Sequence, residues 1–180
     1  MAEVVATSTQ PALGAIRLAW WREALERLDQ SPPPAEPRLQ AAAEHLLPRG
    51  VSGAMLAALE DGHNALLEER VEPSRVASGG ERLFGMGALV LGKDDTMLAR
   101  AGRLYALGQA ARGANLLTSA DENLKALNLV GHRFAKGVRP LSAMAKLSVR
   151  DLARFPAIEP EATPARAAAL LIHRFTGIIA

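Results

Sequence analysis

Hydrophobic positions recur at helical spacing along most of this chain. Between Pro11 and Asp29, one stripe holds Leu13, Ile16, Trp20 and Ala24, and an adjacent one holds Leu18, Trp21, Leu25 and Leu28. Glu23 and Arg27 stand one turn apart outside both, so the spacing predicts a helix that buries a broad face. The residues before it are small and polar without a period and read as a frayed, flexible segment over 1–11, ahead of one domain over 12–180. Ser31 to Pro37 reads as a loop, because successive prolines remove donors and push their predecessors toward extended backbone. A short helix follows over about Arg38 to Leu47 and stops before Pro48 and Gly50.

Ser52 is placed to cap a third helix running through Met55, Leu56, Leu59, Leu66 and Leu67. Pro73 and Ser74 open a fourth that carries Gly79, Gly80, Gly85 and Gly87 inside an apolar helical pattern. Each such glycine costs about 1 kcal/mol relative to alanine, so close approach of another backbone or of a ligand is the expected compensation. Asp95 and Thr96 begin a fifth helix through Leu98, Leu104, Tyr105 and Leu107, and Ser119 with Glu122 reads as a capping box for a sixth. Pro140 and Thr163–Pro164 are first-turn signatures of two more, giving an all-α, single-domain bundle of about eight helices.

Composition agrees with that pattern. The 180 residues suit one core, with 49% hydrophobic and 22% charged residues, 35 Ala and 27 Leu, and few aromatics. There is no cysteine, which removes disulfides, thiolate metal sites and thiol nucleophiles and suits a reducing, cytoplasmic setting. The 17 Arg and 4 Lys are spread among 19 acids for a net charge of +2, so no footprint for nucleic acid stands out. The longest apolar run, Phe84 to Gly92, is well short of the roughly 20 residues that span a bilayer, which leaves only contact with a membrane surface open.

Candidate chemistry is sparse. The glycine cluster follows no strand and lacks the Lys-Ser/Thr of a phosphate loop, and His45, His63, His132 and His173 include no pair at metal-ligand spacing. The stretch LEDGHNALLEER places Glu60, Asn64 and Glu68 at i, i+4 and i+8 on one helical face with Asp61 beside them, a ladder of oxygen ligands that could hold Mg²⁺. Its ordinary reading is a solvated face opposite Leu59, Leu66 and Leu67. Trp20 and Trp21, with Gly79, Gly80 and Phe84, are the candidates for an apolar pocket, against ordinary core packing.

Taken together, these segments resemble the squalene/phytoene synthase-like family. IRLAWWREALERLD (Ile16 to Asp29) resembles its arginine-tryptophan-tryptophan helix, and LEDGHNALLEE (Leu59 to Glu69) the helix that follows. RVASGGERLFGMGALVLG (Arg75 to Gly92), RLYALGQAARGANLL (Arg103 to Leu117) and VRPLSAMAKLSVRDLARF (Val138 to Phe155) are similar to later family segments. The resemblance covers about Ala12 to Ile178 and implies a truncated isoprenoid synthase fold.

Active members of that family condense two prenyl diphosphates, holding Mg²⁺ between opposed aspartate-rich helices whose carboxylates at i and i+4 face one cavity. This chain has no Asp-x-x-x-Asp, only fifteen residues precede Ile16 where the first motif would lie, and TSADENLKAL with its Asp121–Glu122 pair stands where the second would. The resemblance therefore implies a catalytically degenerate member that binds an isoprenoid, another lipid or a protein partner, with no cofactor expected. Mg²⁺ enters only if prenyl-diphosphate transfer persists through Glu60, Asp61, Asn64 and Glu68. A further implied role is that of a structural or assembly subunit or homo-oligomer, as for the mitochondrial complex I assembly factor that resembles this family.

Overall fold

The computed structural model describes residues 1–113 and 129–179, and over these its regular structure is helical apart from one isolated antiparallel bridge, Arg133 with Ile178. The capping box predicted at Ser119 and Glu122 lies outside the described residues. Where a frayed start was expected, α1 (Ala2–Thr7) forms and buries Val4. The Thr7 hydroxyl donates to the Glu3 carbonyl, and Glu3 in turn ion-pairs with Arg38 at 2.7 Å. Small polar side chains thus supply local hydrogen bonds that an apolar-periodicity reading does not register.

Helix α2 (Pro11–Arg27) starts on a first-turn proline. Of its two apolar stripes the second is covered, with Leu18 and Leu28 buried and Trp21 and Leu25 half-buried, whereas of the first only Ala24 is buried and Leu13, Ile16 and Trp20 lie exposed. On that side lie α3 (Pro37–His45), which brings Leu39 and Ala42 into one cluster with it, and more closely the short helices over residues 53–64, where Gly53 meets the Leu25 carbonyl. Glu36 caps α3 by accepting from the Leu39 amide, and the Pro-rich segment before it is non-helical, as predicted.

The third predicted helix is broken into α4 (Gly53–Ala57), α5 (Glu60–Asn64) and a 3₁₀ turn over Ala65–Leu67. Ser52 caps α4 as expected, accepting from the Met55 amide. The Asp29 carboxylate joins it, accepting from Gly53 and Ala54 at 2.6 and 2.9 Å. At the break, the Ala58 carbonyl accepts from the Arg82 side chain, and the Leu59 carbonyl accepts from both the backbone amide and the ring of His63.

The centre of the bundle is α6 (Pro73–Leu91) against α7 (Leu98–Gly113). They cross at Gly80 and Gly102, where a Cβ on Gly80 would stand 2.1 Å from the Gly102 carbonyl oxygen and one on Gly102 would stand 2.3 Å from that of Gly80. Only glycine fits on either side of such a crossing, and the gain is core packing of Ala77 and Phe84 with Leu98, Ala101, Leu104 and Leu107. This is the backbone approach that the glycine-rich pattern anticipates. Gly92, at φ +59°, ends α6 in the left-handed region.

Helix α8 (Arg139–Leu152) closes the core with Ala145, and α9 (Pro164–Thr176), capped by Thr163, packs on α8. Asp151, almost wholly buried, accepts two hydrogen bonds from Arg112 of α7, at 2.6 and 2.8 Å, and one from Arg166 of α9. One carboxylate therefore joins three helices. The buried Ser142 hydroxyl donates to His173 Nε2 at 2.9 Å, and His173 Nδ1–H donates to the Ile178 carbonyl at 3.0 Å. Desolvation pulls the His173 pKa below the ordinary histidine value despite that carbonyl hydrogen bond, so the ring is neutral in the fold.

Three outcomes follow from this packing. Gly80→Ala lowers unfolding stability by about 3 kcal/mol or prevents folding, whereas Gly85→Ala, whose Cβ would meet nothing within 4 Å, raises it by about 0.5–1 kcal/mol; urea denaturation measures both. Asp151→Ala costs about 3–5 kcal/mol in the same assay, since two guanidiniums lose their carboxylate inside the bundle. For His173 the lowered native pKa means stability is fully present above about pH 6.5, the unfolded histidine value, and is lost as pH falls toward the native one. The urea midpoint of the native protein accordingly drops over that window, and His173→Gln, already less stable at neutral pH, drops less steeply.

Candidate functional site

An open groove of about 770 Å³ runs along the outer side of α6, opposite the face that packs on α7. Arg82, Gly85, Leu89 and Gly92 line it at 3-4-3 spacing, which puts them on one side of the helix. The facing wall is Met55 and Ala58, at and beyond the end of α4, with Met86 and Ala88 beneath. Gly85 deepens the groove: no atom lies within 4 Å of where its side chain would begin.

Two cations and one carboxylate mark its polar edge. Arg82 donates to the Ala58 carbonyl at 3.1 Å and lies 3.9 Å from the Asp61 carboxylate, with its side chain about half exposed (45%). Lys93 follows the helix-ending Gly92, its aliphatic stem packed at Gly137 and its ammonium without an ion pair among the described residues. Asp94 accepts from the Asp95 amide. The groove is thus an apolar trough whose rim carries both signs of charge, Arg82 and Lys93 with Asp94 and the nearby Asp61, and its size takes an extended small molecule.

The carboxylate ladder lies nearby but is not a ladder. Because the helix breaks, Glu60 and Asn64 are on α5 while Glu68 stands in extended backbone after the 3₁₀ turn, so the i, i+4, i+8 geometry is lost. Arg75 takes up Asp61, from Nε at 2.9 Å, and pairs with Glu68 as well; these two hydrogen bonds, Glu68's first, raise its guanidinium pKa further. Among the described residues no three His, Cys, Asp or Glu side chains come together as a metal-holding group.

The five residues read as a pocket are divided between separate places. Trp20 and Trp21 meet edge to face with ring centroids 5.1 Å apart, Trp21 against the α2–α3 cluster and Trp20 exposed. Gly80 is sealed at the crossing with Gly102, Gly79 faces Gly62 of α5 at 3.5 Å, and Phe84 is wholly buried against Tyr105. None of the five lines the groove, which uses the other side of the helix that carries three of them. The signal for the groove is present in the sequence as the 3-4-3 recurrence of Arg82, Gly85, Leu89 and Gly92, followed by Lys93.

Ser142 and His173 share the hydrogen bond of a nucleophile–base pair, but both are fully buried and neither lines the groove, so they act as a latch between α8 and α9. No protein family, characterised protein or solved structure is matched by the chain.

At the groove itself, Lys93→Gln is expected to leave the melting temperature within about 1 °C of the native value, since the Lys93 ammonium holds no ion pair among the described residues; differential scanning calorimetry checks this.

Proposed function

We propose that this chain is a squalene/phytoene synthase-like helical protein without metal-dependent transfer chemistry, which binds an isoprenoid or similar lipid with an anionic head in the groove along α6. The observation that carries the reading is the groove's make-up: an apolar trough opened by Gly85 and edged by Arg82 and Lys93, with Asp94 beside Lys93. The methionine and leucine side chains desolvate a hydrocarbon chain, and the two cations attract a phosphate or carboxylate end. The lack of Asp-x-x-x-Asp and the capture of Asp61 and Glu68 by Arg75 both argue against prenyl transfer, because the diphosphate leaving group needs metal held by free carboxylates.

A second reading, a subunit whose exposed face is covered by a protein partner, is favoured by the stripe Leu13, Ile16 and Trp20 left uncovered on α2.

The test is to titrate farnesyl and geranylgeranyl diphosphate with and without Mg²⁺, following thermal shift and product together. The expected result is a shift of about 2–4 °C near saturation that does not depend on Mg²⁺, with no product. Gly85→Phe fills the trough and abolishes the shift while the free variant still melts cooperatively. Metal-dependent turnover lost in Glu60→Ala or Glu68→Ala would overturn the proposal in favour of an enzyme. No shift, together with a stoichiometric complex lost in Trp20→Ser, would favour the subunit.

A further inference from the structure

A different surface carries an inference of its own. The outer face of α9 exposes Leu171, Ile172 and Phe175, and Ile178 follows just beyond its end; Phe175 is 70% exposed. The inner face of the same helix is buried through Arg166, Ala169 and His173, so α9 is anchored in the bundle and presents an apolar ridge outward. Most exposed hydrophobic residues are scattered singly, whereas these four fall within two helical turns and the residue bridged to Arg133.

The border of this ridge is basic. Arg133 donates to the Thr176 carbonyl at 2.7 Å, and Arg139 donates to the carbonyls of Arg174 and Phe175 at 2.7 and 3.1 Å. Neutral carbonyls satisfy these donors without cancelling the guanidinium charge. Lys136, on the 3₁₀ turn between them, and Arg174, on α9, are exposed and form no ion pair among the described residues. Residues 129–150 and 162–180 contain no acid at all. Of the three acids between them, Asp151 is bound by Arg112 and Arg166, and Glu159 by Arg150 and Thr163. Eight Lys and Arg therefore face three acids over 129–180, an excess hidden by the chain's overall charge of +2.

We propose that the outer face of α9, with the basic residues bordering its C-terminal end, docks on an anionic lipid bilayer. A helix lying in the interface sinks its apolar residues to the level of the acyl boundary while cations at its edge meet the lipid phosphates. Leu171, Ile172 and Phe175 supply the first part and Lys136, Arg139 and Arg174 the second. A second copy of the chain fits less well, because a two-fold pairing of this face would bring its own uncancelled cations together.

Co-sedimentation of the full chain with phosphatidylcholine vesicles, with and without about 30% phosphatidylserine, tests the proposal. Binding is expected to the serine-lipid vesicles and not to phosphatidylcholine alone. Phe175→Ser is expected to weaken it about tenfold through lost insertion, and the double variant Lys136→Gln, Arg174→Gln by more than about tenfold through lost charge, with a flatter dependence on salt. These positions are exposed, so each variant keeps the native melting curve. Gly85→Phe, which blocks the groove along α6, leaves vesicle binding intact, so failure of one proposal is told apart from failure of the other. Equal binding to both vesicle types would overturn this one, as would no vesicle binding. Dimerisation abolished by Phe175→Ser without vesicle binding would assign the ridge to a protein interface instead.

Discussion

The crossing of α6 and α7 at Gly80 and Gly102 sets the position of everything else. Two backbones meet there with no side chain between them, and that closeness lets Phe84 reach Tyr105 and lets small residues of α7 approach the rest of the core. It also fixes the rotation of α6 about its own axis. With Gly80 and Phe84 turned inward, Arg82, Gly85, Leu89 and Gly92 are obliged to face the other way, toward α4. The groove is thus a by-product of the core contact: the same helix, viewed from behind.

Charge in this protein is organised by where its acids are held. Arg75 holds Asp61 and Glu68 beside the groove, and Arg112 with Arg166 holds Asp151 between three helices. A buried carboxylate with two guanidiniums contributes less to net stability than to geometry, since desolvating the ions offsets much of their attraction. What it does supply is a unique arrangement, because the forked guanidinium of Arg112 binds both oxygens of Asp151 at once. With Asp151 and Glu159 so engaged, the cations around α9 are left to dominate their surroundings.

Among the described residues, helix existence was legible wherever apolar periodicity and caps agreed. Pro11, Ser52, Pro73, Pro140 and Thr163–Pro164 all start helices in the structure, and the proline run is a loop from Ser31 to Glu36, with Pro37 already opening α3. Two things escaped. The continuity of the third helix failed because its pattern is satisfied equally by two short helices whose carbonyls find Arg82 and His63, long-range and local partners that spacing does not reveal. The face of each helix that would be covered was also illegible: α2 offers two apolar stripes, and the side on which α3, α4 and α5 pack decides between them. The site residues suffered from the same limit. Trp20, Trp21, Gly79, Gly80 and Phe84 are conspicuous by size or by lack of it, but conspicuous residues served packing, and the groove is lined by plainer ones.

Gly85 remains, an exposed glycine in the middle of a nineteen-residue helix with no atom near enough to require it. Gly80 is required by its crossing with Gly102; Gly85 is required by no contact, and a more helix-forming residue there would gain stability. What the glycine leaves is an opening in the outer face of α6 that any side chain would narrow. Sequences descended from a common ancestor with this one would therefore reveal, by whether they keep an empty spot at this position, if occupancy of the trough is what natural selection has been protecting.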